Sequence, residues 1–255
     1  MLIFAGIFDP PHRSASSYRQ KEGQVETRSR PEWVTEHSHG GQRSVRPAGF
    51  DASRVAPWAA LTFDDGPDAS WTPRILDALD RADARATFFV IAPLALEHPH
   101  IVSAMLDAGH EVEFHCTEHA RHTRRSRREI KADTREGLRA LQSLGVEPRL
   151  WRPPWGIRAP WTQEIAESFG LRLALWSADT KDWRGDAAPE MLGRIVPLLG
   201  PGSVVLMHDG LGPGAQRTSC GETVALVEPL VTRLRGLGCE PTPLAAAVEG
   251  QRVEA

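Results

Sequence analysis

Asp64 and Asp65 stand side by side in Thr62-Phe63-Asp64-Asp65-Gly66-Pro67, directly after the apolar run 58–61 and just before a Gly-Pro turn. Adjacent like charges repel, and successive strand side chains point to opposite faces. The chain must therefore bend here if both carboxylates are to face one site, where a cation would offset their repulsion. The chemistry to look for first is that of a bound metal.

Partners for such an ion occur in His115-Cys116-Thr117-Glu118-His119, which follows the strand-like stretch 110–114. In a helical turn, imidazoles four positions apart share one face. Asp65, His115 and His119 form the simplest ligand set. A carboxylate with two neutral imidazoles suits Zn2+, with Co2+ or Ni2+ as alternatives, and three protein ligands leave a position open for water. His122 offers another imidazole, at a spacing that fits less well. Taken alone, each feature has a plainer reading: a turn for the aspartates, and a surface or core role for the histidines.

Three further groups stand later in the chain: Arg152-Pro153-Pro154-Trp155-Gly156, Asp179-Thr180-Lys181-Asp182-Trp183 and Leu206-Met207-His208-Asp209-Gly210. In this order, with the two groups above, they resemble the five motifs of the polysaccharide deacetylases, carbohydrate esterase family 4 with its NodB homology domain, over about residues 55–245. Chance agreement at five ordered sites is remote.

The resemblance implies a metal-dependent hydrolase that removes acetyl groups from N-acetylated sugars or oligosaccharides. It implies Asp64 as general base on the attacking water and His208 as general acid to the leaving amine. Arg152 would orient and charge-stabilise Asp64, and Asp182 would hold His208 and raise its basicity. The backbone N–H of Trp155 would serve as oxyanion donor, and Trp183 and Leu206 as apolar walls of the acetyl pocket. An O-acetyl esterase of the xylan type and a cyclic amidase acting on small ring amides are same-site alternatives, and a non-catalytic carbohydrate-binding protein is another. Cys116 departs from the pattern, since that position usually carries Ser or Thr whose hydroxyl helps to fix the loop; a small buried substitute is the simpler reading.

These residues need elements to position them. Short apolar strands are predicted at 59–63, 86–91, 111–114, 150–152, 171–176, 203–207 and 239–242. Helical spacing is predicted at 72–81, 99–108, 127–144, 161–169, 189–199 and 222–235. Ser126-Arg127-Arg128-Glu129 fits a capping box, and Gly109, Gly145, Gly170 and Gly200 fall just past helix ends. Strand and helix alternate throughout, and each candidate site segment follows a strand. The expectation is an α/β fold, and from the resemblance a distorted (β/α)7 barrel of the NodB type.

Composition agrees with a soluble enzyme of one catalytic domain: 255 residues, 41% hydrophobic and 25% charged. A formal net charge of −3 gives no drive toward nucleic acid or an anionic membrane. The basic run 121–128 reads as a solvated loop and helix start. Three scattered cysteines imply no disulfide framework. Residues 1–54 show no periodicity and read as a flexible arm, 55–248 as the catalytic domain and 249–255 as a tail. No secretory signal or membrane span is evident, so a cytoplasmic location is expected, with an acetylated carbohydrate or small amide as partner. The loop 210–221, with its Gly-Pro-Gly, is placed to shape a pocket.

Overall fold

The structure is a computed structural model that describes residues 57–250; the arm assigned to 1–54 and most of the tail lie outside the described residues. Eight parallel strands form one curled sheet in the order β5-β4-β3-β2-β1-β7-β6. They are β1 (Trp58–Asp64), β2 (Thr87–Ile91), β3 (Glu111–Cys116), β4 (Leu150–Trp151), β5 (Arg172–Leu173), β6 (Ala178–Asp179), β7 (Ser203–His208) and β8 (Glu240–Pro241). β8 lies off this path and pairs with the start of β1, through Trp58 and Ala59.

Among the described residues eight helices accompany the strands: α1 (Thr72–Arg81), α2 (Ala92–Glu97), α3 (Pro99–Asp107), α4 (Arg127–Ser143), α5 (Thr162–Ser168), α6 (Ala188–Ile195), α7 (Gly221–Gly236) and α8 (Leu244–Gly250). The six helices expected from spacing all form, within a few residues of the expected bounds, although 189–199 divides into α6 and a short 3-10 turn. At the start of α4, Ser126 Oγ accepts from Glu129 N, and Glu129 Oε2 accepts from Ser126 N, which completes the capping box. The short helix α2 was not predicted, because six residues give too little periodicity to recognise.

Strand alternation divides the apolar residues into two cores. Ala59, Leu61 and Phe63 of β1, Phe88 and Val90 of β2, Val112 and Phe114 of β3, and Val205 and Met207 of β7 face outward and bury against the helices. Trp58 and Ala60, with Phe89, Leu150, Ala174 and Val204, form a second cluster inside the curl, plugged by Leu244, Ala245, Ala247 and Val248 of α8. Thr87 and Glu111 anchor that plug by accepting hydrogen bonds from the backbone N–H groups of Leu244, Ala245 and Ala246. Followed toward the carboxyl ends of the strands, the inward positions become polar: Thr62 and Asp64 on β1, Glu113 and His115 on β3, His208 on β7. Inward side chains near the strand ends are thus the ones placed for chemistry.

The sheet has eight strands rather than the seven expected, and two of the expected members differ. The stretch 171–176 is not one strand: β5 ends at Leu173 and β6 begins at Ala178. These two strands are the opposite ends of the sheet path, so the chain crosses the seam of the curl between them. Arg152 secures that crossing, because its guanidinium donates to Ala174 O (3.2 Å) and Leu175 O (3.0 Å). The segment 239–242, taken as the seventh strand, is the off-path β8. Periodicity registers burial in both stretches and cannot say which strand each lies beside.

Candidate functional site

The parallel register of β1 and β7 sets Asp64 directly opposite His208. The next residue, Asp65, has φ 74°, the left-handed region that few non-glycine residues adopt. That is the bend required for two neighbouring carboxylates to serve one site. Three close approaches hold it: a Cβ on Gly212 would come within 1.8 Å of Asp65 Oδ2, one on Gly210 within 2.4 Å of Asp65 O, and one on Gly66 within 2.0 Å of Asp209 Oδ2. The loop 210–221 therefore packs on the aspartate turn, and side chains at Gly210 and Gly212 would displace it.

Asp65 Oδ1 lies 3.3 Å from His115 Nε2 and 3.2 Å from His119 Nε2, yet it has no hydrogen-bond partner although it is buried. His115 Nδ1 sits 2.7 Å from the carbonyl of Arg152, to which it donates, so that Nε2 is the nitrogen facing the carboxylate. Lone pairs converging on a buried oxygen repel unless a cation lies among them. The three donor atoms lie within 4.8 Å of one another. Burial would raise the Asp65 pKa; hydrogen bonds and charge from His115 and His119 outweigh that, and hold it far below the usual carboxylate range, only where those rings carry a proton on Nε2 in place of the cation. This donor set fits a divalent ion of the zinc class.

Around the triad the loops are fixed by neighbours. Asp133 of α4 accepts from the backbone N–H of Thr117 (3.2 Å) and Glu118 (2.7 Å), and its carbonyl accepts from Thr117 Oγ1 (2.8 Å). These bonds anchor the loop without a hydroxyl at position 116. Cys116 itself is buried, and burial pushes its thiol well above the usual range, so it is a neutral core residue. His122 is buried away from the triad, with its Nδ1 3.0 Å from Thr162 Oγ1 and its ring against Trp151.

Arg152 is fully buried and serves both halves of the site. Its Nη1 donates to Asp64 Oδ1 and to Thr62 Oγ1, both at 2.8 Å, while its carbonyl holds His115. On the other side, Asp182 Oδ1 is 2.7 Å from His208 Nδ1, and Asp182 Oδ2 accepts from His208 N (2.9 Å), Thr223 Oγ1 (2.8 Å) and Arg217 Nη1 (2.8 Å). Burial opposes the imidazolium, but the Asp182 charge and hydrogen bond prevail, helped by Asp65 and Asp64, and raise the His208 pKa to about 9. For Asp182 burial works against ionisation as well, and His208 and Arg217 bring it down to about 2. With Nδ1 engaged, the free nitrogen of His208 is Nε2, which carries a transferable proton.

Trp155 holds φ 54°, rare for so bulky a residue, with its ring edge-on to His119 at 4.2 Å. Leu206 is buried on β7 two residues before His208, while Trp183 is only half-buried, in the 3-10 turn that begins at Asp182. Three supporting residues were missed from sequence. Arg217 is buried and also donates to His208 O (2.9 Å) and Gly210 O (3.1 Å), Thr223 lies in the first turn of α7, and Asp209 accepts from Thr72 Oγ1 at 2.6 Å. Burial lifts the Asp209 pKa to about 7. Only Asp209 stood inside a recognised motif, and nothing local marks the others.

The model of the polysaccharide deacetylase family matches residues 52–174. A chitooligosaccharide deacetylase of a Bradyrhizobium strain is 34% identical over 194 residues, covering 72% of this chain and 87% of the relative. The peptidoglycan-N-acetylglucosamine deacetylase PgdA of Listeria monocytogenes is 34% identical over 182 residues, 71% of this chain, which spans only 36% of that longer protein. Among solved structures, the Bc1960 peptidoglycan N-acetylglucosamine deacetylase superposes with a TM-score of 0.70 at 29% identity, covering 75% of this chain and 88% of that one.

Proposed function

Because the chain belongs to the polysaccharide deacetylase family, we propose that it is a metal-dependent hydrolase that removes acetyl groups from N-acetylated sugar oligomers. The observation that carries this reading is the convergence at one end of the curl of three units: the Asp65–His115–His119 triad, the Asp64–Arg152 ion pair and the His208–Asp182 pair. Relatives that act on chitooligosaccharides and on peptidoglycan N-acetylglucosamine support the substrate class.

Asp65, His115 and His119 would hold the ion. When bound, a zinc-class cation polarises an acyl oxygen and lowers the pKa of water. The protein's own groups perform the proton transfers. Asp64, clamped through Oδ1 by Arg152, offers Oδ2 to take a proton from the attacking water. His208 enters protonated, its charge sustained by Asp182, and gives the Nε2 proton to the departing amine. Trp155 contributes a backbone N–H to the developing oxyanion, and Leu206 and Trp183 enclose the acetyl methyl.

The test is acetate release from N-acetylglucosamine oligomers by zinc-loaded protein, set beside acetylated xylan and a hydantoin-like ring amide. Release from the oligomers, lost in Asp64→Asn and accompanied by loss of bound metal in Asp65→Ala and His119→Ala, is expected. Full zinc content in both metal-site variants, or activity confined to ring opening or to the xylan ester, would overturn the assignment.

A further inference from the structure

Arg217 enters the acid half of the site from the loop 210–221, a buried cation that no proton transfer so far calls on. Its guanidinium straddles two segments. Nη1 donates to Asp182 Oδ2 (2.8 Å) and to Thr223 Oγ1, while Nη2 donates to the carbonyls of His208 (2.9 Å) and Gly210 (3.1 Å). The backbone N–H groups of Gln216 and Arg217 both donate to Trp183 O, one residue past Asp182. One side chain thus ties the turn that carries Asp182 to the strand end that carries His208. The tie reaches the metal half as well, because Gly210 and Gly212 of the same loop abut Asp65 too closely to admit a Cβ.

Bracing alone would not call for a charge. A buried guanidinium costs desolvation energy, and the Nε of this one has no hydrogen-bond partner. What the charge does follows from where it sits. Asp182 Oδ2 is taken by His208 N, Thr223 Oγ1 and Arg217 Nη1, which leaves Oδ1 aimed at His208 Nδ1. With His208 protonated, the trio of Arg217, Asp182 and His208 carries one net positive charge; once Nε2 has given up its proton, the trio is neutral. Buried charges are most stable when balanced, so the second cation favours release. The remaining charges that face His208 act the other way: Asp64 and Asp65 from the end of β1, and Asp179 from β6. Arg152 offsets Asp64, as Arg217 offsets Asp182.

Resting on the deacetylase reading above, we propose that Arg217 is a positioning residue for the general acid: it locks Asp182 behind His208 and, as the second cation on that carboxylate, frees the Nε2 proton for the departing amine. As the C–N bond breaks, the amine nitrogen takes that proton and His208 is left neutral beside the Asp182–Arg217 pair.

The test uses two substrates that differ in their need for an acid. An amine leaves only with a proton, whereas the nitrophenolate of p-nitrophenyl acetate leaves without one. In zinc-loaded protein Arg217→Met should lower kcat on N-acetylglucosamine oligomers about 10–100-fold with little change in KM, and should change hydrolysis of the aryl ester less than about threefold. Zinc content should stay at the wild-type level. Arg217→Lys, which keeps the charge without the fork, should recover part of the amide activity. Equal losses on both substrates would mean that Arg217 only braces the fold, and no loss on either would remove it from the site; both results overturn the proposal. Where Arg217→Met fails to fold, Arg217→Lys decides by the same contrast: a loss confined to the amide supports the role, and equal losses or none refute it. Should the wild type release no acetate from the oligomers, the deacetylase reading fails on its own. The His208 Cε1–H resonance then decides: an imidazolium that deprotonates at higher pH in the variant than in wild type supports the role of Arg217, and one that deprotonates at the same or lower pH refutes it.

Discussion

Replacing Asp182 with Asn removes one negative charge while keeping nearly the same shape, and the structure fixes what should follow. In the native protein burial alone would push the His208 pKa below 6.5, yet the Asp182 carboxylate at 2.7 Å from Nδ1 takes it to about 9. Seen from the partner, Asp182 moves from 3.8 to about 2, a smaller net shift because its side chain is the more deeply buried of the two and desolvation cancels more of the lowering by His208 and Arg217. At about 1.4 kcal/mol per unit, the two net shifts, each left after burial has opposed it, correspond to roughly 2–4 kcal/mol. Because the folded pKa of His208 is raised, its contribution is fully present below pH 6.5 and is lost as pH rises through 9.

The assay follows the His208 Cε1–H resonance against pH in metal-free protein, where no cation competes with the imidazolium. Wild type should titrate near 9 and Asp182→Asn at or below 6.5. Urea unfolding supplies the thermodynamic counterpart. The variant loses stability at every pH, since Arg217 keeps its burial but loses its charge partner. The His208 contribution is therefore read from pH dependence: the gap between wild type and variant should narrow by roughly 2–4 kcal/mol from pH 6.5 to above 9. A His208 resonance that still titrates near 9 in the variant, or a gap that does not change with pH, would refute the assignment of Asp182 as the group that keeps His208 charged.

Other substitutions test the rest of the site. Arg152→Met leaves Asp64 buried without its cation and frees the carbonyls of Ala174 and Leu175 at the seam, so unfolding measurements should show a loss of about 3–5 kcal/mol. Gly212→Ala sets a methyl against Asp65 Oδ2; competition with a chromophoric chelator should show zinc affinity weakened about 10–100-fold while the far-UV circular dichroism is retained. Cys116→Ser should keep full zinc content, because the thiol is neutral and Asp133 anchors the loop; a large change in metal stoichiometry would show that the sulfur takes part in the site.

Some of this molecule can be read directly from its residue order. Each motif carries its own chemistry, and each adjoins a run whose apolar spacing marks a strand, so the candidate groups and their place at strand ends follow from local pattern. The bend at Asp65 also follows, since two adjacent carboxylates in a straight strand cannot share a face. Other features depend on which distant segments become neighbours. The crossing from β5 at one edge of the sheet to β6 at the other, the register that sets Asp64 beside His208, and Arg217 reaching Asp182 from a glycine-rich loop leave no periodic trace. Periodicity reports how each residue is buried, whereas parallel pairing and buried ion pairs are settled by contacts between segments remote in the chain, and those exist only once the sheet has closed around its polar end.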